Sequence, residues 1–160
     1  MTHKIDLLSS EDRAFIAGFL DGDGSIFSQL VQRPDYKLKF QVKTTVNFTQ
    51  KSNRAWFLHY LHDKVGCGRV RDRKDGCWEY AISINTEVKS LVEALAPYLV
   101  LKKKQANLAL RVIGSLSKKQ SIESFINSVE LVEQIALLNE STNRKITIET
   151  VREALIKSSP

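Results

Sequence analysis

The stretch Ile16-Ala17-Gly18-Phe19-Leu20-Asp21-Gly22-Asp23-Gly24 decides how the rest of the chain reads. Before it, Ser9-Ser10-Glu11-Asp12 offers hydroxyl caps followed by acids that suit the positive end of a helix dipole. The pattern predicts a helix running to about Leu20, ended by Asp21-Gly22-Asp23-Gly24, whose two glycines supply backbone freedom where a helix turns into a strand. A strand is expected over Ser25 to Gln32. Ala14, Gly18 and Gly22 recur at every fourth position and form one ridge of minimal side chains, along which a second backbone can approach closely. If two copies of this helix pair about a two-fold axis, Asp21 and Asp23 of both arrive together at that axis. Clustered carboxylates repel unless cations neutralise them, and octahedral Mg2+ completed by phosphate oxygens and waters is a natural guest. An EF-hand loop is excluded, because counting from Asp21 puts Ile26 where that loop requires Gly and Gln32 where it requires a bidentate Glu. A turn in which the two acids only cap backbone groups is the competing reading.

Working outward, Arg33-Pro34-Asp35-Tyr36 is a turn by its Pro and Asp. The strongest alternation of the chain follows. Leu38, Phe40, Val42, Thr44, Val46 and Phe48 share one face, and Lys39, Gln41, Lys43, Thr45, Asn47 and Thr49 share the other, which predicts a second strand antiparallel to the first. Ser52 to Lys64 reads as a helix with Trp56, Phe57, Tyr60 and Leu61 on its apolar stripe. Gly66 to Ile84 reads as a hairpin about Asp75-Gly76, with Arg69, Arg71, Arg73, Glu79 and Ser83 alternating against Val70, Trp78, Tyr80, Ile82 and Ile84. A helix from near Thr86 ends before Pro97, and further helices are expected at about Lys103 to Ser115, Ser121 to Asn139 and Thr147 to Lys157. The order αββαββα predicts an α+β fold: a four-stranded antiparallel sheet with helices on one face, plus C-terminal helices. The 160 residues are expected to form a single domain, with a core over about 9–115 and a helical extension over about 116–160.

Composition bounds the function. No apolar run approaches the roughly 20 residues a bilayer needs, which argues for a protein with no membrane partner. If Arg73 lies opposite Cys77 in the second hairpin, Cys67 lies opposite about Ser83, so the thiols are too far apart to bridge. Two cysteines and three scattered histidines also argue against a structural zinc site. The excess of 24 Lys+Arg over 18 Asp+Glu, a net charge of +6, points to a polyanionic partner. The polar sheet face could simply be solvated. Its composition favours more, since Gln29, Arg33, Gln41, Asn47, Arg71 and Arg73 match base-reading chemistry in the major groove, Arg for guanine and Gln or Asn for adenine. Lys39 and Lys43 would add phosphate contacts. Strands of about ten residues span roughly 30 Å, or about nine base pairs of duplex, and two copies would cover roughly twenty.

Ile16 to Gly24 resembles the signature nonapeptide of the LAGLIDADG homing endonucleases, with apolar or small replacements at Ile16, Phe19, Leu20 and Gly22 and both acids kept. Further matching stretches are Gly22 to Ser25, Thr49-Gln50-Lys51, Arg54-x-Trp56-Phe57-Leu58, Val70 to Arg73 and Leu101 to Leu108. A single motif copy is similar to the branch that acts as homodimers on nearly palindromic sites, closest to enzymes encoded by introns in algal chloroplast large-subunit ribosomal RNA genes. The resemblance implies intron homing in a chloroplast or other organelle. It also implies a double-strand DNA endonuclease that takes no small-molecule substrate and leaves 3′ overhangs with 5′-phosphates, using two or more Mg2+ ions, with Mn2+ as a substitute.

By the same resemblance Asp23 is the direct metal ligand, the Gly22 carbonyl a second one, and Asp21 a cap at a dimer interface that includes Ala14, Gly18 and Gly22. Gln50 orders the water network, while Arg54 and Lys102 are the cations of the site. Gln29, Arg33, Tyr36, Gln41, Lys43, Asn47, Arg71, Arg73 and Glu79 match DNA-contacting positions of the sheet, and Ser141, Thr142 and Lys145 match a loop that meets the DNA backbone. Val31, Asp35 and Ala81 carry other residue types than the family pattern, so no contact transfers there. An RNA maturase or a non-cleaving DNA-binding protein of the same fold is the alternative.

Overall fold

The computed structural model describes residues 4–141 and 144–157. After a turn of 3-10 helix at Lys4–Leu7, helix α1 (Ser10–Asp23) leads into β1 (Gly24–Gln32) and β2 (Phe40–Lys51). Helix α2 (Ala55–Val65), strands β3 (Arg69–Asp72) and β4 (Cys77–Ile82) and helix α3 (Asn85–Leu95) repeat the pattern. Helices α4 (Lys103–Ser115), α5 (Ile122–Leu138) and α6 (Ile148–Lys157) complete the described chain. The sheet order is β1-β2-β4-β3, with every neighbouring pair antiparallel. This is the expected α+β architecture.

Ser9 caps α1, its hydroxyl accepting the Asp12 N–H at 3.0 Å. The helix runs past the expected end at Leu20 to Asp23, and the Gly24 N–H still donates to the Leu20 carbonyl. The expectation of glycine flexibility is corrected here. Gly22 is helical, and Gly24 is extended at φ −107°. A Cβ on Gly24 would lie 2.5 Å from Leu20 Cδ1 and 2.9 Å from the Asn47 carbonyl oxygen, so the position is glycine because the helix end crosses β2 at close range.

In the first hairpin Gly24 pairs with Phe48 and Gln32 with Phe40. Strand β2 starts at Phe40, two residues later than the alternation begins, because Lys39 adopts φ 63° and closes the loop by accepting the Arg33 N–H on its carbonyl. Ile26, Val42, Val46, Phe48, Tyr80 and Ile82 are buried on the face covered by the helices. Each fully buried side chain of this kind contributes about 1.5–3 kcal/mol. Stacked Phe19, Phe48 and Tyr80 rings form the spine of this core, with successive centroids 5.7 Å apart. On the opposite face Thr45 is buried, its hydroxyl 3.2 Å from that of Ser83.

Helix α2 buries Leu58, Leu61 and Val65, which corrects the expected stripe. Trp56 and Tyr60 are exposed, and Phe57 turns sideways to meet Phe15 and Phe19 of α1. Ile84, expected on the core face, is exposed because β4 ends at Ile82. The second hairpin keeps the expected register, with Arg71 opposite Glu79 and the Arg73 N–H donating to the Cys77 carbonyl at 3.0 Å. Both cysteines are free thiols, and burial, with the charge of Glu87, pushes Cys67 up to about 11.

Candidate active site and nucleic-acid interface

The last turn of α1, the end of β2, the turn that follows it and the start of α4 converge on one spot. Asp23 lies exposed at the end of α1, and the buried Gln50 reaches it from β2, donating from Nε2 to Asp23 Oδ2 at 3.0 Å. Gln50 Oε1 in turn accepts Arg54 Nε at 2.6 Å. The amide is thereby fixed in orientation between a cation and a carboxylate. Lys102 donates from Nζ to the Asp21 main-chain carbonyl at 2.7 Å. All four residues expected to act at the site, Asp23, Gln50, Arg54 and Lys102, stand around the end of one helix.

Asp21 faces elsewhere than Asp23. It is buried, and its carboxylate accepts the backbone N–H of Val100 at 2.8 Å and of Lys102 at 2.9 Å. Burial pushes its pKa up, but the backbone N–H groups of Val100, Lys102 and Leu101 and the Lys102 charge outweigh it and hold the carboxyl below its usual range. One chain therefore offers a cation only the exposed Asp23 carboxylate oxygens of this acid pair. These are hard oxygen donors suited to Mg2+, and too few for an octahedral shell without a second copy and phosphate oxygens. Among the described residues no group of three or more His, Cys, Asp or Glu could hold a metal alone.

The outer ridge of α1 is open. Ala14, Gly18 and Gly22 are exposed, and a Cβ at either glycine would meet no atom within 4 Å. Around it stand large apolar side chains in water: Phe15 at 51% exposure, Trp56 at 66%, Val100 at 80% and Leu101 at 73%. Sequence reasoning missed this rim. Trp56 reads from sequence as part of the apolar stripe of α2, and nothing local marks Val100 and Leu101 as neighbours of α1.

The sheet face away from the helices carries the expected polar rows. Gln29 pairs across the hairpin with Lys43, Val31 with Gln41 and Ser25 with Asn47, whose side-chain oxygen accepts the Ser25 hydroxyl. Arg33 donates from Nε to Gln41 Oε1 at 3.2 Å. Arg71 is held by Glu79 at 3.1 Å and Arg73 by Asp75 at 2.9 Å. A groove of about 630 Å³ runs across this face, lined by Gln29, Lys43, Arg71 and Glu79, with Arg69 beside them. Arg69 is a groove residue that the list of expected contacts omitted, although its alternation with Arg71 was visible in the sequence. Tyr36 stands exposed in the loop between β1 and β2. Ser141 and Lys145 line a second groove, between β1 and α5, and Thr142 lies outside the described residues. Lys39 is turned back onto its own loop, donating to the Pro34 carbonyl at 3.2 Å.

The family model described as LAGLIDADG endonuclease matches residues 16–113. The chain belongs to the LAGLIDADG endonuclease family. It is 45% identical over 142 residues to DNA endonuclease I-CreI of Chlamydomonas reinhardtii, covering 88% of this chain and 86% of that one. To DNA endonuclease I-CvuI of Chlorella vulgaris it is 38% identical over 144 residues, covering 90% and 89%. The LAGLIDADG fold is matched as closely in space. A crystal structure of I-CvuI in complex with the I-CreI target, with Mg present and the DNA not cleaved, superposes with a TM-score of 0.88 at 36% identity, covering 92% of this chain and 94% of that one. An archaeal intron-encoded homing endonuclease complexed with DNA, I-Vdi141I, shares the fold at a TM-score of 0.81 and 19% identity, covering 92% and 96%.

Proposed function

We propose that this chain is a sequence-specific double-strand DNA endonuclease that acts as a homodimer in intron homing, cutting a long, partly palindromic site and leaving 3′ overhangs. The observation that carries the reading is the Asp23–Gln50–Arg54 chain of hydrogen bonds, with Lys102 on the same helix end, at the margin of a cationic, amide-rich sheet face. The relatives named as DNA endonucleases, and those crystallised with DNA, support the substrate class. A relative crystallised on its target with Ca and another complex prepared with Mg support divalent cations as cofactors. The exposed Ala14-Gly18-Gly22 ridge and its apolar rim support pairing through α1, which would place one Asp23 from each copy at the axis.

Bound there, divalent ions supply Lewis-acid activation of the scissile phosphates and lower the pKa of the attacking water. The chain's own groups do the rest. Asp23 and the Gly22 carbonyl would hold the ions. Gln50, locked by Arg54, presents its amide to order water beside Asp23, and the Arg54 and Lys102 cations oppose charge that builds on phosphate in the transition state. On the sheet, Gln29, Arg33, Tyr36, Gln41, Lys43, Asn47, Arg71, Arg73 and Glu79 read bases and phosphates, and Ser141, Thr142 and Lys145 grip the backbone outside them. Packing of α5 on α4 and β1 supports one domain, a core over about 9–115 with a helical extension over about 116–160. The green-algal sources of the two relatives support a chloroplast setting.

The test is cleavage of a randomised duplex library of roughly 24 base pairs, sized from strand span, with purified protein in Mg2+ and in EDTA. The expected result is Mg2+-dependent double-strand cutting at one partly palindromic sequence, abolished by Asp23→Asn with DNA binding retained. Salt-sensitive binding without cutting under any divalent ion would instead identify a maturase or a non-cleaving DNA-binding protein, and cutting by Asp23→Asn would remove Asp23 from the metal site.

A further inference from the structure

We infer that Asp21 is a positioning residue for the cleavage reaction: it clamps the loop between α3 and α4 onto the end of α1 and so sets where Lys102 stands relative to Asp23. The inference rests on the endonuclease reading above. After the turn at Ala96–Tyr98, residues 99–102 form no regular secondary structure before α4 begins at Lys103. Only Leu99 of this stretch is buried, while Val100 and Leu101 stand in water at 80% and 73% exposure. Within the single chain apolar packing therefore anchors just one end of the loop, Val100 and Leu101 belonging to the open rim around α1. The rest is held by Asp21, whose Oδ2 takes the Val100 N–H at 2.8 Å and whose Oδ1 takes the Lys102 N–H at 2.9 Å.

The loop answers with a bond of its own, since Lys102 Nζ donates to the Asp21 carbonyl at 2.7 Å. That carbonyl belongs to the last turn of α1, where carbonyls lack intrahelical partners and the helix dipole favours a cation. The ammonium is thus held two residues from Asp23 by three bonds that all converge on Asp21. A carboxylate suits this role because both of its oxygens accept. Asparagine has the same shape but would turn an NH2 group toward one of the two N–H donors, setting donor against donor.

Asp21→Asn is the test variant, with Lys102→Met and the double variant completing a cycle. On the site recovered from the library, single-turnover cleavage by Asp21→Asn is expected to slow about 100-fold, the scale of a misplaced catalytic group, with DNA affinity held within about threefold. The double variant should cut no more slowly than Lys102→Met alone, because both changes remove the same placed charge. Val100→Pro deletes one donor N–H from the loop side, next to a Leu99 already at ψ 142°, and should slow cleavage in the same direction. Amide exchange supplies a readout independent of cutting: in Asp21→Asn the Val100 and Lys102 amides should lose protection while the Gly24 amide keeps it.

Multiplying defects in the double variant, unchanged amide protection, or an Asp21→Asn enzyme that cuts at the parent rate would each overturn the role of Asp21 alone. A parent chain that cuts nothing in Mg2+ would overturn the endonuclease reading and this role with it.

Discussion

At the scale of single residues, contacts between segments far apart in sequence dominate. Gly24 is required by the closeness of Leu20 and the Asn47 carbonyl. Gly24→Ala should therefore destabilise the fold by about 1–3 kcal/mol, the cost of an extra methyl in a packed crossing, read as a lowered midpoint in thermal denaturation. A wild-type midpoint would mean that the helix end shifts freely. The same remoteness explains what could be read in the sequence. The identities of Asp23, Gln50, Arg54 and Lys102 came from motif matches. The bonds that join Asp23 to Gln50 and Asp21 to Val100 cross 27 and 79 positions, and no local pattern reports them.

Helices and strands were far more legible. Hydroxyl caps at Ser9 and Ser121, the glycine turn of the second hairpin and Pro97 are local signals, and the elements start and stop within a few residues of them. The failures have physical causes. Helix α1 outruns its expected end because Gly22 tolerates helical backbone as readily as a turn. Trp56 and Tyr60 of α2 look like core in a helical pattern, yet stand exposed. The α1 ridge carries the element-level prediction. A Cβ on Gly18 would meet nothing within 4 Å beyond its own stretch of helix, so Gly18→Leu should leave the subunit folded, with a helix favoured by about 0.8 kcal/mol, while the added side chain blocks pairing. Sedimentation should show monomers, and double-strand cutting should fail. A dimer of unchanged affinity would move the interface off this ridge.

For the whole molecule, the decisive property is one cationic sheet face opposite one helical face. Lys43 and Arg69 line its groove, and among the described residues neither has a carboxylate within 4.0 Å. DNA binding by the dimer should therefore weaken steeply with salt, log affinity falling against log salt with a slope of about −5 to −9 for roughly six to ten phosphates. Lys43→Met should flatten that slope by about 2, one contact per subunit. A slope near zero would rule out the sheet as a phosphate-binding surface. The strands divide this surface unequally, nine and twelve residues in the first hairpin against four and six in the second. Strand β1 also forms an outer edge of the sheet, and the side chain there that donates to its Ile26 carbonyl belongs to Asn139, 113 positions later. During synthesis that edge emerges early and stays uncovered until most of the chain has left the ribosome. Unpaired N–H and C=O groups on an edge strand can template pairing with another chain, so chains that stop before α5 should aggregate more readily than the full protein.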